Sequence, residues 1–318
     1  MAATAGSHTR GTDAQPRVGL VLGAGGTVGA AYHAGVLFSI EHHTGFDPRR
    51  ATQIVGTSAG SLVGALLRAG VAADELVRLA RRDGGGRLPE HLHDLHRASL
   101  VDVPSVFELM WSVRLPTVTA VANTVRHRSA WPWLLSWSRG ARFDLQPLLT
   151  ELDRLVGGEW PETDLKVCTV SASDGVRQVL DGRSGAALSQ AVAASCAVPG
   201  LFRPQRIGGR SLVDGGVWSV TNVDALDFAS TTAPIDEVWV VAPMAGATFR
   251  KRSTNLVHRH IDRRLHHELG RVPVGMPVRL FTPGPESSEV MGLDLMSDER
   301  ASDAILAGFL EAGSATSR

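Results

Sequence analysis

Short apolar, β-branched runs alternate along this chain with longer stretches of helical composition, and glycine clusters mark where one gives way to the other. Arg17 to Leu22 is an apolar run that meets Gly23-Ala24-Gly25-Gly26-Thr27-Val28-Gly29, after which Ala30 to Glu41 has helical composition with Gly35 as its one glycine. The order returns at Thr52 to Val55, which meets Gly56-Thr57-Ser58-Ala59-Gly60 before the apolar stretch Ser61 to Arg68. Two successive strand, turn and helix units predict a parallel sheet. A helix is expected over Asp74 to Arg82, ended by Asp83-Gly84-Gly85-Gly86, and another over Leu145 to Val156 with Asp144 as its cap. Leu165 to Ser171 and Arg177 to Asp181 read as a hairpin across Asp174-Gly175. Ala186 to Ala197 predicts a small-residue helix stopped by Pro199-Gly200, and Ser211 to Val213 a short strand running into Asp214-Gly215-Gly216. Glu237 to Val241 and Val278 to Phe281 read as strands, and Thr248 to Leu269 and Asp298 to Glu311 as helices. The fold class is α/β.

Between Val103 and Gly140 the pattern changes. Trp111, Trp131, Trp133 and Trp137 lie there, in segments interrupted by Pro104, Pro116 and Pro132, which predicts an insertion of short helices at about 103–140. With 318 residues, 43% hydrophobic and 20% charged, the composition suits a globular domain and excludes a disordered chain. The formal net charge of zero provides no long-range field to recruit nucleic acid, and Arg250-Lys251-Arg252 reads as a solvated face. Cys168 and Cys196 suggest neither a disulfide framework nor a paired-cysteine metal site, and both are expected as buried free thiols. Residues 1–16 lack the apolar stretch of a secretory signal, and no run of eighteen apolar residues occurs. The expectation is a cytoplasmic protein with a flexible N-terminal tail.

The chemistry concentrates at the glycines. In Gly-x-Ser-x-Gly the sharp strand-to-helix turn crowds the backbone, so only tiny neighbours fit, here Gly56 and Gly60. That turn sets the Ser58 hydroxyl at a helix N-terminus, whose free N–H groups favour developing negative charge. The earlier loop, with Gly23 and Gly29 at its ends, has two readings. It nearly fits a dinucleotide-binding fingerprint, but the second strand ends in Gly-Thr-Ser-Ala-Gly and not in the acidic residue such a fold wants. In a hydrolase, backbone N–H groups from Gly25, Gly26 and Thr27 would face an oxyanion, each worth roughly 3 kcal/mol of transition-state stabilisation. A serine hydroxyl also needs a base. Asp214, ending a strand before Gly215 and Gly216, is the best candidate.

These motifs, in this order, resemble the patatin-like phospholipase family: a glycine-rich oxyanion loop, Gly-x-Ser-x-Gly with the nucleophile, and a later Asp-Gly-Gly with the catalytic aspartate. Gly35-Val36-Leu37, Ala194 to Phe202 and Asn222 extend the resemblance. It implies a three-layer α/β/α fold with a mostly parallel central sheet over residues 17–318 and a Ser58-Asp214 dyad without metal or cofactor. The implied substrate is a phospholipid or another acyl-ester lipid, with peripheral membrane contact as an option, and the Trp-rich insertion would then act as a lid or acyl channel. One departure stands out: the family loop commonly has Arg or Lys before its last glycine, where this chain has Val28. Such a change could mark a catalytically weak or inactive lipid-binding relative. Among other enzymes, an α/β-hydrolase triad would draw on Asp214 or Asp224 and one of His258, His260, His266 or His267. A malonyl-type acyl-transferase would want His where Thr57 stands.

Overall fold

In the computed structural model, which describes residues 15–81, 145–156, 158–246, 255–292 and 294–316, the chain opens on the two expected units. β1 (Val18–Leu22) leads into α1 (Gly26–Thr44), and β2 (Gln53–Thr57) into α2 (Ala59–Arg68), with the strands parallel and Gly19 opposite Gln53. Every residue of β1 and β2 is buried, which is why both read as short continuous apolar runs and not as an alternation. α3 (Ala73–Ala80) follows, its first turn stabilised by Asp74 and by Glu75, whose carboxylate accepts the Ala72 N–H at 2.9 Å. Beyond it come α4 (Gln146–Val156), β3 (Asp164–Ser171), β4 (Arg177–Leu180) and the small-residue helix α5 (Leu188–Cys196). β5 (Gln205–Ile207), β6 (Arg210–Asp214), β7 (Glu237–Val241), α6 (Asn255–Leu269), β8 (Val278–Phe281), α7 (Pro285–Met291) and α8 (Ala301–Thr316) complete it.

Hydrogen-bonded pairing runs β5-β6-β3-β2-β1-β7-β8, with β4 also on β3. The five strands β3, β2, β1, β7 and β8 are mutually parallel, while β4 and β6 oppose β3 and β5 opposes β6. Side chains alternate across this sheet and feed two cores. Leu20, Leu22, Ile54, Leu165, Val167 and Val241 pack with α1, α2, α5 and α8; Val21, Val55, Cys168, Val238 and Val240 pack on the opposite face with Val223, Leu226 and, from α6, Ile261 and Leu265. The result is the three-layer α/β/α arrangement with a mostly parallel sheet.

β5 and α7 are additions to the expected elements, and Cys196 is only partly buried whereas Cys168 is fully so. Asp298 to Glu311 starts as a single 3₁₀ turn, Asp298–Arg300, before α8 continues to Thr316. The Trp-rich insertion, the Asp144 cap, Gly84 to Gly86, Arg250 to Arg252 and most of the N-terminal tail lie outside the described residues. Among the described residues no helix is long and apolar enough to cross a membrane.

α1 and α8 pack backbone to backbone. A Cβ on Gly35 would overlap the Ile305 carbonyl, and one on Gly308 would fall 2.5 Å from the Tyr32 carbonyl oxygen. Tyr32 adds a hydrogen bond from its hydroxyl to Glu311 at 2.6 Å. Because the obstacles are main-chain atoms in a packed interior, Gly35→Ala is expected to lower stability by about 1–3 kcal/mol or more, read as an earlier midpoint in urea unfolding.

Candidate active site

The register of β3 brings Ser58 and Asp214 together. Val167 and Cys168 each pair with both β2 and β4, and Thr169 and Val170 with both β4 and β6. A residue has only two edges, so β2 and β6 share one edge of β3 and meet end to end. Thr57 ends β2 opposite Cys168, and Asp214 ends β6 opposite Thr169, one step further along the same edge. Asp214 therefore arrives on a strand running against its neighbours, and not at the carboxyl end of a parallel strand. Side chains from two approaching strand ends converge there.

The turn at Ser58 is tight. Ser58 has φ 52° and ψ −123°, a left-handed backbone that costs a non-glycine residue about 1–3 kcal/mol. A Cβ on Gly60 would overlap the Leu22 carbonyl, and one on Gly215 the Cys168 carbonyl, so the glycines following both residues of the pair are there for close approach. Hydrogen bonds hold the turn: the Ser58 N–H donates to Ser195 Oγ at 2.8 Å, and the Ser61 hydroxyl donates to the Ser58 carbonyl at 2.7 Å. Asn222, itself left-handed at φ 57°, donates from Nδ2 to Thr57 Oγ1 at 3.0 Å, tying the loop after Asp214 to the end of β2. An amide side chain at that position tolerates the conformation and supplies the tie.

Asp214 is buried, with 4% of its surface exposed, and Ser58 is 7% exposed. Burial raises the Asp214 carboxyl from 3.8 to about 6, against hydrogen bonds from the Ser58 side chain and the Gly216 N–H that pull it down; the latter donates to Oδ1 at 2.7 Å. The Cys196 thiol lies by the same pair. Burial and the Asp214 charge push it up to about 12, against hydrogen bonding with Ser61 and Ser58.

At the head of α1, Gly25 is the N-cap and Gly26 has φ 60°, so the first N–H groups of the helix have no intrahelical partner. The Val28 N–H donates to the Leu295 carbonyl at 3.0 Å; among the described residues no acceptor meets those of Gly25, Gly26 and Thr27. His33, one α1 turn further on and fully buried, donates from Nε2 to the Gly23 carbonyl at 2.8 Å, and burial lowers its pKa to about 4, so the ring is neutral. The loop's main chain is further fixed by Gly23 N–H to Val241 and Ala24 N–H to Val220.

A family model for patatin-like phospholipases matches residues 20–227. The chain belongs to this family. Lipid acyl-ester hydrolysis is thus its activity class at family level. Two solved structures resemble it over nearly all its length at low identity. VipD from Legionella pneumophila matches at TM-score 0.48 and 13% identity, over 96% of this chain and 67% of VipD. The type III effector protein ExoU matches at TM-score 0.40 and 17% identity, over 95% of this chain and 53% of ExoU.

Within the patatin-like frame, Val28 is a core residue. It is fully buried in the core that packs α1, so it brings an apolar side chain and no charge to the head of that helix. The Asp224 side chain is buried and carries two arginines, Arg177 and, at 3.2 Å, Arg271; His260, His266 and His267 lie exposed on α6. Among the described residues nothing of an α/β-hydrolase triad assembles from them. Sequence reasoning missed His33 as a support of the site and the bond of Ser195 to Ser58, because these hydrogen bonds are long-range or made with main-chain atoms.

A carboxyl whose folded pKa is raised above its unfolded value contributes stability below about pH 4 that is lost as pH rises through about 6. Asp214→Asn is therefore expected to stabilise the protein by about 3 kcal/mol near pH 8, with the gain shrinking toward about pH 4.5, as urea midpoints across pH would read. Alanine at His260, His266 or His267 is expected to leave ester turnover within about twofold of wild type in a steady-state assay.

Proposed function

We propose that this patatin-like protein is a serine lipid acyl hydrolase of the phospholipase A or esterase type, working through a Ser58-Asp214 dyad. The observation that carries this reading is the meeting of β2 and β6 on one edge of β3, which brings a hydroxyl on a strained turn to a buried carboxyl. With its pKa lifted to about 6, the carboxyl is ionised at neutral pH yet is a better base than a solvated aspartate.

Asp214 accepts the Ser58 proton as the hydroxyl attacks the ester carbonyl. The oxyanion takes hydrogen bonds from the N–H groups of Gly25, Gly26 and Thr27, held in place by the head of α1. Collapse of the tetrahedral intermediate releases the alcohol, which takes up the proton from Asp214. A water molecule then attacks the acyl-enzyme, giving its proton to the same carboxylate, and Ser58 is regenerated with release of the fatty acid. These steps engage neither a metal nor a cofactor. The substrate is a phospholipid or another acyl-ester lipid, reached from solution or at a membrane surface.

Ser58→Ala and Asp214→Asn are each expected to lower hydrolysis of a soluble ester on the order of 10³-fold or more, and near-normal turnover in either variant defeats the assignment. In the wild type, kcat/KM should rise with pH through about 6 and level off above it, because the base works only when deprotonated. A panel of phospholipids and simple esters, assayed beside Ser58→Ala, identifies the substrate class.

A further inference from the structure

Ser195 stands at the junction where β2 and β6 both end. Its hydroxyl donates to the Cys168 carbonyl at 2.7 Å and accepts the Ser58 N–H at 2.8 Å, and its surface is fully buried. The Cys168 carbonyl and the Ser58 amide lie one step past the last register pair, Thr57 with Cys168, where a continuing parallel ladder would place its next rung. The Ser195 hydroxyl occupies that rung. A hydroxyl has one proton, and this one is committed to Cys168, so a lone pair faces the Ser58 N–H in a fixed direction. The same commitment, with the complete burial, leaves the Ser195 hydroxyl no part as a nucleophile of its own.

The neighbouring residue contacts extend the picture. Two positions along, the Ala197 carbonyl accepts the Asp214 N–H at 3.0 Å. The end of α5 thus touches the main chain of both members of the pair. An amide left without its acceptor in this interior would be costly, and Ser58 would have no restraint on its left-handed backbone from that side.

We propose that Ser195 is a positioning residue for the nucleophile: its hydroxyl fixes the turn at Ser58 in the conformation that presents Ser58 Oγ to Asp214. This rests on the reading of Ser58 and Asp214 as a catalytic dyad. Ser195 acts through the Ser58 backbone and does not touch substrate. Its loss should therefore slow attack by Ser58 and leave binding largely alone.

The test compares two hydroxyl deletions on one helix. Ser189, near the start of α5, is also fully buried, but its hydroxyl has no hydrogen-bond partner among the described residues. Full-length wild type, Ser195→Ala, Ser189→Ala and Ser58→Ala are compared by rate of labelling with a fluorophosphonate probe and by kcat and KM on a soluble ester, below the melting temperature of each. Ser195→Ala is expected to lower both the labelling rate and kcat on the order of 10- to 100-fold with KM within about threefold, since small misplacements of a reacting group have effects of this size. Ser189→Ala should label and turn over like the wild type. Ser195→Cys, which keeps a poorer acceptor in nearly the same space, should fall between and supplies the readout if Ser195→Ala does not fold. Labelling of Ser195→Ala, or of Ser195→Cys in its place, at the wild-type rate overturns the role of Ser195 alone. Equal losses in Ser189→Ala and Ser195→Ala overturn it as well, by showing a general effect on α5. A wild type that the probe does not label at Ser58 overturns the dyad reading itself.

Discussion

The backbone of Ser58 is the constraint on which the rest of this structure depends. An L-residue at φ 52° is held there only when its surroundings leave no alternative, and here they come from four directions. α2 begins immediately after it, Gly60 lets that helix lie against the Leu22 carbonyl, Ser61 takes the Ser58 carbonyl and Ser195 takes the amide. Three of these come from α2 itself and the fourth from α5. The local strain is offset by the packing and hydrogen bonds of these two helices against the strand ends.

The same sheet supplies the electrostatics. Asp214 reaches the site on β6, an antiparallel strand inserted at the end of β2, and its burial follows from that placement between β3 and the end of α5. A carboxyl introduced on a solvent-facing loop would titrate near its usual value and be a weak base; one enclosed by strand ends is not. The region beyond the family match contributes too. β7 covers the outer edge of β1, the Val241 carbonyl holds the Gly23 amide, and the Leu295 carbonyl takes the Val28 amide, so the glycine loop is braced by residues that carry none of the family motifs.

Much of this was legible in the sequence. β1, β2 and β7 announce themselves as compact apolar runs, and the glycine clusters after β1 and β2 mark the turns because main-chain atoms there approach too closely for side chains. β5 and α7 were missed because Gln205-Arg206-Ile207 and Pro285 to Met291 are short and largely polar, formed by their neighbours more than by their own preference. The direction of β6 was not readable either. Asp214-Gly215-Gly216 looks alike at the end of a parallel or an antiparallel strand, and only the register, in which Thr169, Val170 and Ser171 pair with Asp214, Val213 and Leu212, distinguishes them. Ser195 was visible as a small residue suited to close packing, but its bond to an amide 137 positions away was not.

The contact between α1 and α8 has a consequence for how such a chain can diverge. Gly35 faces the main chain of Ile305, and Gly308 the main chain of Tyr32 and Val36. A backbone atom is the same in every amino acid, so no replacement at the opposing position can make room for a larger residue. Covariation between homologues would then be silent at this seam. Evolution can keep both glycines or shift a whole helix, and a lineage that moved α8 would carry β8 and the Leu295 brace along with it.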